Sequence, residues 1–300
     1  MSGSGEQFAS LPSGIDICYE TFGDPDDPPV LLIMGLGAPL NWWSTEFCEQ
    51  LAARDFFVIR YDNRDTGRST KLRQHRVTKR DILRTGVLAR GPVPYSIGDL
   101  AVDATQLLDH LDIKQAHVVG VSMGGMIGQT LAIDHRDRVL SLTSMMSTTG
   151  RRTVGWIHPR LLPMMLGSAG TTRDSYVKRA MRSAEMIGSR EFPADPERAL
   201  ERAHETYDRG WSASGVARHL LAAATQPDRT KRLSEIDVPV TVIHGTADPM
   251  VHRSGGRATK RAIQAAEHLE IPGLGHDLPV QLYDTFIDAI AETAARAKVD

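Results

Sequence analysis

Residues 118–126 read Val118-Val119-Gly120-Val121-Ser122-Met123-Gly124-Gly125-Met126. An apolar, β-branched run stops at Gly-x-Ser-x-Gly, and a stretch compatible with helix follows. No other feature constrains the fold as much. A buried strand must turn sharply into a helix, and the glycines beside Ser122 mark where two backbones pass too closely for a Cβ. A serine at such a turn is presented at the edge of a sheet. The plain alternative is a glycine-rich turn whose serine only caps the helix.

The sequence around this turn alternates between strand and helix. Residues 7–11 and 15–21 read as a hairpin around Pro12-Ser13-Gly14. Residues 30–34 and 56–61 are apolar runs suited to strands buried on both faces. Residues 116–121, 139–145, 238–244 and 269–271 continue the series. Helices are predicted over 43–53, 97–111, 123 to about 135, and 282–297. The second of these has Ser96 or Asp99 near its start and Leu100, Ala104, Leu107, Leu108 and Leu111 on one face. Such alternation implies right-handed crossovers and a mainly parallel sheet, the α/β class. It fails between 147 and 233, where only helical spacing occurs, at 175–187, 196–209 and 214–224. The chain therefore divides into a core, residues 1–147 and 233–300, and a helical cap, residues 148–232.

The length of 300 residues accommodates that plan, and a net charge of −2 makes no global electrostatic case for nucleic acid. Cys18 and Cys48 form neither a Cys-x-x-Cys pair nor a disulfide framework, which suits a reducing compartment. The first residues lack the basic and apolar regions of a signal peptide. The longest strongly apolar run, residues 30–34, is far short of the roughly 20 residues of a membrane span. The expectation is a soluble cytoplasmic protein, with peripheral membrane or lipid contact left open and oligomeric state unreadable.

A serine hydroxyl is a weak nucleophile until a base takes its proton. His276, in Gly273-Leu274-Gly275-His276-Asp277, lies in a glycine-flanked loop that can present an imidazole. Other histidines have weaker contexts. His117 begins a strand, His110 and His135 sit at helix ends, and His244 ends an internal strand as a core residue. His204, His219 and His268 are expected on charged helical faces. Asp248, in His244-Gly245-Thr246-Ala247-Asp248-Pro249, follows a buried strand and precedes His276 by 28 positions, room for one crossover helix and one strand. Its plain alternative is a turn aspartate before proline. An oxyanion needs two backbone donors. Met123 N–H, next to the serine, is one; Leu36 N–H, in Met34-Gly35-Leu36-Gly37, is the other. Of Trp42 and Trp43, one can wall an acyl pocket while the other anchors the following helix. No metal or organic cofactor is called for.

With Ser122, Asp248 and His276 in that order, the chain resembles the α/β-hydrolase superfamily. The resemblance implies an eight-stranded, mostly parallel sheet flanked by helices, with an inserted helical cap. It departs in carrying Met34-Gly35 where many relatives have His-Gly, which makes the oxyanion loop more apolar. The loop Tyr61-Asp62-Asn63-Arg64-Asp65-Thr66-Gly67-Arg68-Ser69 looks like that of the subgroup containing aclacinomycin methylesterase. We read this loop as structural, with Asp62 and Arg64 pairing and Gly67 allowing the turn.

The resemblance implies a serine hydrolase of carboxylic esters, thioesters or lipid esters, acting through an acyl-enzyme. A cofactor-free perhydrolase or haloperoxidase-like enzyme and a carbon–carbon bond hydrolase share the same three residues. A receptor-like binding protein is the non-enzymatic alternative. Haloalkane dehalogenases and epoxide hydrolases are disfavoured, because they use an aspartate at the turn. The cap residues Trp156, Leu161, Leu162, Met164, Met165, Leu166, Met181, Met186 and Trp211 suggest an adaptable pocket for a small apolar ester or acyl substrate. Arg151, Arg152, Arg173, Arg179 and Arg182 read as a solvated face.

Overall fold

A computed structural model describes residues 3–78, 81, 93–161, 163, 164 and 172–297. Strands β1 (Gln7–Ser10), β2 (Asp16–Phe22), β3 (Pro29–Ile33), β4 (Phe57–Tyr61), β5 (Ala116–Val121), β6 (Val139–Met145), β7 (Val240–Gly245) and β8 (Glu267–Ile271) form one sheet. Their order is β1-β2-β4-β3-β5-β6-β7-β8. β2 runs antiparallel to both its neighbours, and every other pairing is parallel. Among the described residues, the α-helices used below are α1 (Thr45–Ala52), α2 (Ile97–His110), α3 (Met123–Asp134), α4 (Arg173–Ile187), α5 (Pro196–Asp208), α6 (Ala213–Thr225), α7 (Ser254–Ala262) and α8 (Tyr283–Ala295).

Strands β3 to β7 are almost entirely buried because helices cover both faces of the sheet. Leu31 and Ile33 point into a cluster with α2 and α3, while Val30 and Leu32 point into one with α1 and α8. Helix α3 is buried from Met123 to Ile133 and carries no amphipathic stripe, as a central helix requires. At the sheet edge, β8 starts earlier than the predicted strand 269–271, since exposed Glu267 and partly exposed His268 belong to it. His268 therefore sits on a strand and not on a helix.

Side-chain caps set the starts of α1, α2, α4, α5 and α6. Ser44 accepts the Phe47 N–H at 3.1 Å, so α1 begins at Thr45 and Trp43 remains in the turn before it. At α2 both expected residues take part, Ser96 capping Asp99 and Asp99 bonding back. Between β6 and β7 lie α4, α5 and α6, with no strand among the described residues. Thr172, Asp195 and Ser212 cap these three helices. Among the described residues no helix is long and apolar enough to cross a membrane.

Candidate active site

The carboxyl ends of β3, β5, β7 and β8 open toward the three helices inserted after β6. Ser122 stands at the end of β5 with φ 58° and ψ −115°, a conformation that disfavours any residue with a Cβ. Its side chain makes no capping bond, so the role of a helix cap does not account for it. The turn is held from both sides. Ser122 N–H donates to Met145 O at 2.8 Å, and Ser147 Oγ donates to Ser122 O at 2.8 Å. A Cβ at Gly120 would overlap the Gly124 carbonyl, and one at Gly124 would overlap the Ile33 carbonyl. These two glycines bring β5, α3 and the end of β3 together, as the sequence spacing implies.

Asp248 follows β7 and His276 follows β8, with α7 and β8 between them. His276 Nδ1 and Asp248 Oδ2 are 2.7 Å apart. A carboxylate only accepts, so the ring proton sits on Nδ1 and the Nε2 lone pair is left free. The other carboxylate oxygen accepts Met250 N–H at 2.8 Å and Val251 N–H at 2.9 Å. Burial alone would raise the Asp248 pKa; the charge and hydrogen bonds of His276 and His244 outweigh it and bring it down to about 2. His276 is also tied through its backbone, its N–H donating to Ile187 O at 2.7 Å. No hydrogen bond joins the Ser122 hydroxyl to His276.

Gly35 lies against the serine, since a Cβ there would stand 3.2 Å from Ser122 Cβ. Leu36 is the next residue, and its N–H has no hydrogen-bond partner among the described residues. Met123 occupies the first position of α3, where no carbonyl one turn earlier can take its N–H.

The alpha/beta hydrolase fold family matches residues 28–281 of this chain. The chain belongs to that family. Rhodomycin D methylesterase DnrP of Streptomyces peucetius is 30% identical over 95% of this chain and 97% of its own length. 3-Oxoadipate enol-lactonase 2 of Acinetobacter baylyi is 30% identical over 80% of this chain and 78% of its own. Among solved structures, the enol-lactonase of Burkholderia xenovorans superimposes with a TM-score of 0.73 at 22% identity, covering 96% of this chain and 100% of that one. An esterase from a Rhodococcus species gives 0.73 at 20% identity, covering 99% and 100%. The similarity to the methylesterase agrees with the subgroup resemblance carried by residues 61–69.

In this hydrolase that loop does something the sequence did not reveal. Asp62 and Arg64 do not pair with each other. Arg64 is bidentate to Asp103 of α2, at 2.5 Å to each oxygen. Asp62 takes Leu40 N–H at 2.6 Å, Arg68 N–H at 2.8 Å and Arg209 Nη2 at 2.8 Å. Gly67 is confirmed as a turn residue at φ 50°. The loop is thus a dock for the helices inserted between β6 and β7.

His219 is likewise not on a charged face. It is fully buried; its Nδ1 accepts Gly37 N–H at 3.1 Å and its Nε2 donates to Arg64 O at 2.8 Å. Burial pushes its pKa down to about 4, against smaller opposing effects led by the Arg64 carbonyl, so the ring is neutral. It joins α6 to the glycine loop beside Ser122. His244 is a core histidine as expected, but its Nε2 also lies 3.5 Å from Asp248 Oδ2. Only its spacing of four residues from Asp248 hinted at this.

Trp43 is fully buried against Phe47, with ring centroids 5.2 Å apart, and is the anchor of the pair. Trp42 donates from Nε1 to Thr206 Oγ1 at 3.0 Å and lies under Arg202, fastening α5. Of the apolar cap residues, Trp156 is exposed and stacks on His252, while Leu161 is buried. Leu162, Met165 and Leu166 lie outside the described residues. Arg173 of α4 pairs with Asp208 of α5, both exposed.

Proposed function

We propose that the protein is a serine hydrolase of small apolar carboxylic esters, with Ser122 as nucleophile, His276 as base and Asp248 as the acid behind it. The observation that carries this is Ser122 itself, held at φ 58° with no capping duty. Such strain persists where function requires it.

Ser122 Oγ attacks the acyl carbonyl while its proton passes to His276 Nε2. Asp248 keeps the Nδ1 proton in place and stabilises the imidazolium. The oxyanion is received by Leu36 and Met123 N–H groups. When the tetrahedral intermediate collapses, the alcohol leaves with the proton from Nε2. Water then attacks the acyl-serine, giving its proton to Nε2, and the acid departs as Ser122 is restored. The Ser122–His276 contact that this requires forms in the substrate complex, since catalytic hydrogen bonds are often longer without substrate.

The methylesterase relatives suggest the leaving group, methanol from a methyl ester. The apolar oxyanion loop around Met34 and Leu36 fits a hydrophobic acyl part. A reducing cytoplasmic setting fits the free, buried Cys18 and Cys48. A series of methyl, p-nitrophenyl and thioesters of increasing acyl size tests the reading. Turnover is expected to rise with apolar acyl size, with methanol released from the methyl esters and no turnover by Ser122→Ala. A flat or charge-preferring series would remove the apolar pocket, and wild-type protein inert on every ester would remove the hydrolase reading.

A further inference from the structure

The loop that carries His276 is fastened by the cap. Just past α4, the buried Ser189 stands between the two residues that flank His276. Its Oγ accepts Gly275 N–H at 2.8 Å and donates to Asp277 Oδ1 at 2.5 Å, and its own N–H donates to the same oxygen at 3.1 Å. With the bond from His276 N–H to Ile187 O, residues 275, 276 and 277 are each held by the segment 187–189. The fit is close, because a Cβ at Gly275 would approach the Gly188 carbonyl carbon to 2.6 Å.

We infer that Ser189 is a positioning residue for His276, so that the cap sets the reach of the base toward Ser122. The inference rests on the proposed role of His276. Asp248 grips the ring at one atom, Nδ1, and a single bond leaves the imidazole free to swing. The three anchors at 275–277 fix the backbone from which it swings. A shift of the α4 terminus carries Nε2 with it, and small misplacements of a proton-transfer group are strongly felt in rate. Seating of the cap over a substrate is thereby coupled to placement of the base.

Steady-state kinetics of Ser189→Ala and Ser189→Thr on a methyl ester test this. Ser189→Ala is expected to lower kcat about tenfold. KM should change less than about twofold, because ground-state binding is untouched.

Ser189→Thr, which keeps the hydroxyl, should restore kcat. Wild-type kcat in Ser189→Ala would overturn the inference, as would a threonine variant no better than alanine. Should Ser189→Ala fail to fold, Ser189→Cys, similar in size and a weak hydrogen-bonder, takes its place with the same expected loss. His276→Ala separates the two claims. If it retains turnover, the assigned base is wrong; if it is inactive while Ser189→Ala is unimpaired, only the positioning role fails.

Discussion

Arg218 and Asp65 form a fully buried bidentate pair, with Nε and Nη2 each 2.6 Å from a carboxylate oxygen. The pair docks α6 onto the loop after β4. Asp65 is further held by Tyr95 OH at 2.8 Å and Leu72 N–H at 2.8 Å, so its charge is compensated on several sides. Arg218→Ala should cost about 3–5 kcal/mol, because it leaves a carboxylate buried without its cation. Urea unfolding measures this, and the double variant Arg218→Met/Asp65→Asn should recover most of the loss. A single variant within about 1 kcal/mol of wild type would contradict the account.

The backbone at Ser122 gives a second expectation. At φ 58° a residue without a Cβ is relieved of strain. Ser122→Gly should be inactive yet more stable than Ser122→Ala by about 1 kcal/mol in denaturant unfolding. By contrast Gly124→Val, whose side chain would meet the Ile33 carbonyl, should lower soluble yield and melting temperature. Equal stability of the glycine and alanine variants would show that Ser122 is unstrained.

Asp248 should matter for rate more than for folding. Asp248→Asn can still accept backbone N–H groups but no longer favours the Nδ1–H tautomer of His276. A fall in kcat of about 10³–10⁴-fold is expected. Because the Asp248 pKa is about 2, its carboxylate stays charged throughout the working range. A kcat within roughly threefold of wild type would exclude Asp248 as the supporting acid.

Acid should weaken the fold in a defined window. His117 and His219 are buried, and burial lowers both from 6.5 to about 4. The unfolded chain takes up these protons near the ordinary value while the folded chain resists until about 4. Stability is therefore complete above 6.5 and declines as pH falls toward 4, by about 3 kcal/mol at most per histidine. Unfolding free energies at about pH 7 and about pH 5 measure the slope, and His117→Gln should flatten it. An unchanged slope in that variant would remove His117 as a contributor.

The parts legible in sequence were those governed by local pattern. Val30–Leu32-type runs read as strands because both sheet faces are covered, and the glycines around Ser122 announced a close approach of backbones. The hydrogen-bonded Asp248–His276 pair followed from chain order and loop context. What escaped was long-range polar pairing. Arg64 finds Asp103 and Asp62 finds Arg209, 39 and 147 positions away, and nothing in the loop distinguishes these partners from each other. His219 looked surface-bound because Arg218 precedes it, whereas both side chains point inward to charged and polar groups of the dock. The edge position of β8 hid its first residues, since an edge strand can expose Glu267 without losing its pairing to β7.

The central claim is that Ser122 is a nucleophile activated by His276. Intact-mass and peptide analysis after treatment with a fluorophosphonate tests it most directly. The account predicts one adduct, mapped to Ser122, absent in Ser122→Ala and formed far more slowly in His276→Ala. Folded wild-type protein that gains no mass, or gains it at another residue, would contradict it.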